Sequence, residues 1–418
     1  MPLKKTIIQR DFTAVSSTAA FMDAEISRLQ ASLHMSQMER AAMLVQMEDY
    51  RGALSPVRHL PDEIQVYVFR LCVDGDVARE KENEKKKEKE RKPRSILNTV
   101  YRSTSGPRPS LNTRKSPWVF SYVCHRWRQI ALSIPQLWSS IEITWMPCRR
   151  RYNKQLCDPA LVKNIVALRL GRAQDQPLAI KWCDRSCNNR TFAALCSRSF
   201  NWEKVTISSE GGAFQTLWAH RGTFSKLYEL QLHFEHWPRE DAPQEPLQTF
   251  LGAADLRNLT LSGLYCKVVP LLPSSPFPWS QITKFTISHI PPSARRIEES
   301  CYVILPLLGN VRECSLAVIS IKDEAIQVPK LTLRHLHTLV LATRNNGINP
   351  LLDSLTLPAL RTLELQRYLQ EMDTINELID RSSCQFSFQF VDEVEQDGLF
   401  EFFRERPLEN LRTLTISA

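Results

Sequence analysis

A chain of 418 residues with 43% hydrophobic and 24% charged content can hold two or three domains and has the composition of a soluble globular protein. No run of eighteen apolar residues occurs, so no membrane span is expected, and Met1 to Asp11 lacks the continuous apolar core of a signal peptide. The net charge of +9 is concentrated: residues 74–116 hold thirteen Lys/Arg against seven Asp/Glu, which leaves only +3 on the other 375 residues. Basicity confined to one mixed-charge segment marks a solvated face and argues against nucleic-acid binding as the main function. The eleven cysteines are scattered and odd in number, which suits free thiols in a reducing compartment and a cytoplasmic and/or nuclear location.

Residues 1–55 are expected to form a long helix or coiled-coil segment, clearest from Thr18 to Leu54. There Met22, Ile26, Leu29, Leu33, Ser36, Arg40, Met43, Met47, Tyr50 and Leu54 recur at alternating steps of four and three. This is a heptad seam with two polar positions in its middle. It reads either as a coiled coil that self-associates through residues 18–54 or as a helix that packs back on its own chain; Ser36 and Arg40 tilt the reading toward the second. Ser55-Pro56 ends it, because the residue before proline is pushed out of the helical region.

Two short stretches then carry the most information. In Ser55 to Cys72, Pro61 suits a first helical position, Asp62 and Glu63 sit at the positive end of the helix dipole, and Ile64, Val68, Leu71 and Cys72 share one apolar face. In Val123 to Ala131, followed by Pro135-Gln136-Leu137-Trp138, one face holds Val123, Trp127, Ile130 and Ala131 and the other Arg126, Arg128 and Gln129.

These residues resemble an F-box, with its Leu-Pro-x-Glu-Ile, Ile/Val-Phe, Val-Cys-x-x-Trp and Leu-Trp elements. All appear in order as Leu60, Pro61, Glu63, Ile64, Val68, Phe69, Val123, Cys124, Trp127, Leu137 and Trp138. The version seen here is similar to fungal F-box-like proteins, and the resemblance covers about residues 55–143. It implies a small all-α module over 56–146 that docks on a Skp-type adaptor and, through it, a cullin scaffold. Leu60, Pro61, Ile64, Val68, Phe69, Val123, Cys124 and Trp127 are the implied adaptor contacts. Trp127 doubles as core, and Trp138 is expected to seal the junction with the first strand of the next domain. The module departs from the family in its length: residues 74–116 form a charged insertion, expected to be disordered, with Trp118-Val119-Phe120 supplying what remains of the middle helix. Ser95, Ser103, Thr104, Ser105, Ser110 and Ser116 are candidate phosphorylation sites in it.

Over 147–418 the pattern changes to a repeated L-x-x-L-x-L. Its middle residues are Leu230, Leu259, Phe285, Cys314, Leu339, Leu363 and Leu414, at steps of 29, 26, 29, 25, 24 and 51. Phe386-Ser387-Phe388 falls in the double step, Trp202-x-x-Val205-x-Ile207 and Leu178-Ala179-Ile180 extend the series upstream, and Ile141-Glu142-Ile143 begins it. This period is a leucine-rich-repeat signature. The expected fold class is therefore α/β: an N-terminal helix, an F-box module, then an irregular solenoid with a parallel sheet on its concave face and helices such as Arg190–Ser199 and Thr374–Asp380 opposite.

No constellation for catalysis emerges. No Gly-rich phosphate loop occurs. Cys183, Cys187 and Cys196 cluster without a histidine nearby, and His233 with His236, or His335 with His337, lack a third ligand. The chain is read as a non-enzyme with no cofactor and no metal. By resemblance it is a substrate receptor of a cullin-RING ubiquitin ligase that binds a protein substrate through strand positions Glu229, Gln231, Thr260, Thr286, Thr338, Glu364 and Thr413. The alternative is a non-catalytic repeat scaffold that uses its F-box-like region outside ubiquitination.

Overall fold

The computed structural model of the chain describes residues 2–89, 109–145, 159–184, 189–209, 212–234, 246–263, 277–288, 304–318, 330–343, 349–366, 372–383, 386–391 and 411–417. It divides into two compact units, Met1–Val68 and Phe69–Ala418.

The first unit is dominated by helix α1, Pro2–Leu54. It begins well ahead of Thr18, where the helical pattern is clearest; residues 3–17 hold no proline or glycine to stop it. Its apolar residues are exposed, from 40% at Met47 to 78% at Leu54. A 3₁₀ turn, Pro56–His59, follows. Helix α2, Asp62–Lys89, then starts directly after Pro61 with Asp62 and Glu63 in its first turn, where carboxylates favour the helix dipole.

Helix α2 runs on through 74–89, the near end of the charged insertion. Glu, Lys and Arg are strong helix formers, so a solvated charged run can extend an existing helix. Ser110 and Leu111, in the 3₁₀ turn Pro109–Leu111, are 5% and 8% exposed. The Ser110 Oγ accepts the Glu142 backbone N–H at 2.7 Å, so Ser110 is not an accessible phosphorylation site. The candidate sites Ser95, Ser103, Thr104 and Ser105 lie outside the described residues.

In the second unit, short helices α3 (Phe120–Val123) and α4 (His125–Leu132) and the 3₁₀ turn Pro135–Trp138 lead straight into the first strand. Two short strands, β8 (Leu331–Thr332) and β10 (Leu355–Thr356), pair only with each other. All the other described strands form one sheet of eleven, every pair parallel and each strand beside its neighbours in chain order. Its members are β1 (Ser140–Trp145), β2 (Leu178–Asp184), β3 (Trp202–Ser209), β4 (Glu229–Phe234), β5 (Asn258–Ser262), β6 (Lys284–Ser288), β7 (Glu313–Val318), β9 (Thr338–Thr343), β11 (Thr362–Gln366), β12 (Phe386–Val391) and β13 (Leu411–Ser417).

The register explains the repeat. Ile141, Ile180, Val205, Leu230, Leu259, Phe285, Cys314, Leu339, Leu363, Phe388 and Leu414 stand opposite one another along the whole sheet. The residue two further along each strand forms a second row. Successive strand residues point to opposite faces, so both rows share a face, and from Ile141 and Ile143 to Leu363 and Leu365 every member of the two rows is buried. A backbone bond at the start of β6, β7, β9, β11 and β12 repeats as well: Thr283 N–H to Arg257 O, Arg312 to Thr283, His337 to Arg312, Arg361 to His337 and Ser387 to Arg361, all 2.7–2.8 Å. The connections cover the buried face. They are α5 (Pro159–Ala173), α6 (Asn189–Cys196) and α7 (Gly212–Trp218) early, short 3₁₀ turns in the middle, and α8 (Asn349–Ser354) and α9 (Met372–Ser382) late. An aromatic chain runs through this core, Trp182 to Phe192 (4.8 Å), Phe192 to Trp202 (6.4 Å), Trp202 to Phe224 (5.6 Å) and Phe224 to Phe250 (4.9 Å).

Glycine matters at one strand exit. Gly263 has φ +65°, and a Cβ there would lie 2.2 Å from the Phe234 carbonyl oxygen. Only a residue without a side chain lets β5 leave so close to β4.

Candidate functional site

The residues of the helical motif fall into two groups with different roles. In the first unit, Pro61, Ile64 and Val68 are exposed, the last two by 47% and 38%, and Tyr67 beside them by 60%. Leu60 is half-buried. Gln65 fixes this entry: its Nε2 donates to the Val57 and Leu60 carbonyls, both at 3.1 Å, which ties the 3₁₀ turn to the first turn of α2.

In the second unit Phe69 is 1% exposed, stacked on Phe120 with centroids 4.3 Å apart and edge-on to Trp127 at 4.9 Å. Phe69, expected among the exposed contacts, is core here; in a small helical module the ring fills the space between α2, α3 and α4. Trp127 is half-buried in the same cluster, while Val123 remains 55% exposed next to Tyr122 at 59%. Cys124 has a role that the sequence reading did not give it. It is the N-cap of α4, its Sγ accepting the Trp127 N–H at 3.5 Å, with the extended backbone an N-cap requires. The spacing of Cys and Trp is thus that of a cap and its N3 residue. Arg128 links α4 to α3 through a 2.7 Å bond from Nε to the Ser121 carbonyl.

Trp138 sits where the helices meet the sheet. It is fully buried, donates its Nε1–H to the Ala131 carbonyl at 2.8 Å and packs edge-on against Trp118 at 5.0 Å. The Arg172 guanidinium lies over both rings, 4.4 Å from Trp138 and 4.7 Å from Trp118, a cation–π arrangement. Arg169, 4% exposed, donates to the carbonyls of Trp138, Ser110 and Ser140 at 3.3, 3.3 and 2.6 Å. Burial pushes its pKa down to about 10, so it keeps its charge at neutral pH. One buried cation thus fastens the end of the insertion, the Leu-Trp turn and β1 together.

The second candidate surface is the polar face of the sheet. Glu229, Thr338 and Thr413 fall on one row of it, and Gln231, Thr260, Thr286 and Glu364 on the next. The sheet brings all seven predicted substrate positions to one face, opposite the buried rows. Glu229, Gln231, Thr260, Thr286, Thr338 and Glu364 are each half-buried. The Gln231 amide donates to Glu229 Oε1 at 2.7 Å and the Thr206 hydroxyl to Gln231 Oε1 at 3.3 Å. Ion pairs Lys181–Glu142 (2.7 Å) and Lys284–Glu313 (2.6 Å) cross neighbouring strands. Along a third row His233 hydrogen-bonds Ser262 through Nδ1, with Ser208 opposite on β3. Burial, with Lys181 nearby, pushes the His233 pKa down to about 4. The arrangement offers hydroxyls, amides and paired charges at strand spacing, which suits hydrogen bonding to an extended polar segment.

Of the other candidates, Cys183 and Cys196 are buried, and burial pushes the Cys196 thiol up, away from reactivity. Cys187 and His236 lie outside the described residues. His335 is exposed and His337 half-buried. Among the described residues no three His, Cys, Asp or Glu side chains converge as a metal site, and no helix is long and apolar enough to cross a membrane. No family model matches the chain, and comparison with curated proteins finds no match.

Proposed function

We propose that this chain is an F-box substrate receptor: it docks on a Skp-type adaptor of a cullin-RING ubiquitin ligase and holds a protein substrate on its repeat domain. The repeat domain is read as an irregular leucine-rich-repeat solenoid, with the polar sheet face as its concave, substrate-binding side. The receptor breaks no bond itself. It raises the effective concentration of the substrate near a charged conjugating enzyme, and its place of work is cytoplasmic and/or nuclear.

One observation carries the reading. At the motif positions the apolar residues Pro61, Ile64, Val68 and Val123 are exposed, although a chain with this much core has room to bury them. Exposed apolar residues on helices are how helix-in-groove recognition begins. Motif order from Leu60 to Trp138, the aromatic core around Phe69, and the continuity of the Leu-Trp turn with β1 support the same reading.

Co-expression with a Skp-type adaptor tests it. The wild-type chain is expected to co-purify with the adaptor, and Ile64→Asp/Val123→Asp to lose it while keeping its circular dichroism. A folded wild-type chain that fails to co-purify removes the receptor reading and favours a repeat scaffold acting outside ubiquitination.

A further inference from the structure

We infer that α1 pairs two copies of this chain as an antiparallel coiled coil. The heptad seam that begins at Met22 continues upstream through Ala19, Val15, Phe12 and Ile8 at the same alternating spacing. The described helix runs through all of these positions. Eleven large apolar side chains of the seam are 40–78% exposed, and no other described residue of their unit covers them. A seam kept in strict seven-residue register for this length drifts around a lone straight helix but stays on one face of a left-handed supercoil.

The area is sufficient. At roughly 100 Å² for each buried side chain, the eleven bring about 1,100 Å² from each helix, above the ~800 Å² per partner of a standard stable interface.

Orientation follows from the two polar positions. A parallel pair in register sets Arg40 against Arg40, two like charges across the seam. An antiparallel pair centred between Ile26 and Leu29 sets Met22 against Leu33 of the second copy and the small Ala19 against the small Ser36. Arg40 then meets Val15, along which its stem can lie while the guanidinium reaches water, with Asp11 one turn further on. The same register brings Lys5 and Arg10 to within about a turn of Glu48 and Asp49 of the second copy, where a parallel pair would cluster like charges.

Light scattering on the full chain reads the mass, and benzoylphenylalanine placed at position 22 reads the orientation by photo-crosslinking. The expected results are twice the 48.2 kDa chain mass, crosslinks to peptides around Leu33 of a second copy, and a single-chain mass for Ile26→Asp/Leu29→Asp with its helical dichroism retained. Ala31→Glu, on the opposite face, is expected to leave the dimer intact. A single-chain mass for the wild type, crosslinks centred on residue 22 of the second copy, or loss of the dimer in both variants overturns the inference. Adaptor capture by the monomeric variant keeps this result separate from the receptor reading.

Discussion

Phe69 and Ile64 lie five residues apart on one helix and meet different surroundings. The Phe69 ring is enclosed by Phe120 and Trp127, whereas Ile64 is 47% exposed. Truncating a buried aromatic costs about 3–5 kcal/mol. Phe69→Ala is therefore expected to lower the thermal midpoint of the second unit by several degrees, and Ile64→Asp to leave it within about a degree. Calorimetry on the two variants checks this, and an unchanged midpoint for Phe69→Ala would show that the ring does not hold the core together. His233 makes a second prediction at this scale. Its folded-state pKa, about 4, lies below the ordinary 6.5, so the unfolded chain takes up the proton first. Stability contributed by the neutral ring is present above pH 6.5 and is lost as the pH falls toward 4, by up to about 3 kcal/mol. Denaturant titrations across that window should show the loss in the wild type and a reduced slope in His233→Asn. The groups facing the ring are Ser208 on β3, Ser262 on β5 and the more distant Lys181 on β2. Equal slopes would mean that the ring is solvated.

At the scale of elements, Cys124 distinguishes capping from contact. Serine is a better N-cap than cysteine, while valine cannot cap. Cys124→Ser is expected to hold or raise the melting temperature, and Cys124→Val to cost about 1 kcal/mol, measured by thermal denaturation. The reverse order would show that the thiol is wanted for packing or partner contact. This cap was hidden in the sequence because cysteine is seldom a helix-capping residue. The strands were legible, because a parallel sheet buried on one face imposes alternation, and L-x-x-L-x-L carries that alternation into every repeat. Phe388 could be placed in the double step between Leu363 and Leu414 because spacing survives when leucine does not. Helices were less legible. Thr374–Asp380 and Arg190–Ser199 marked α9 and α6, but α5 escaped notice because Pro159 to Ala173 is apolar around much of its circumference. Two features of the insertion have no local signature: its near end continues α2 as helix, and Ser110 is buried by partners 32 and 59 residues away, Glu142 and Arg169.

For the molecule as a whole, the sequence pointed to the joint between helices and sheet through Trp138 but not to the groups that hold it. Arg169 and Arg172 come from α5, an element not foreseen, and their cationic groups bind three carbonyls and two indole rings. A joint of this kind ties the short helices of the second unit, α3 and α4, directly to its strand ladder. The polar face assembled all seven predicted positions because they share strand parity, and parity is readable from sequence alone. Which partner that face prefers depends on loops between strands, and loop shape has no periodic signature. Adaptor docking is the central claim, so the most direct measurement is calorimetric titration of the purified full chain with a purified Skp-type adaptor. Saturable binding of one adaptor per chain is predicted, weakened at least tenfold by Ile64→Asp and unchanged by Gln231→Ala on the sheet face. No heat of binding from a folded wild-type chain, or binding indifferent to Ile64→Asp, would contradict it.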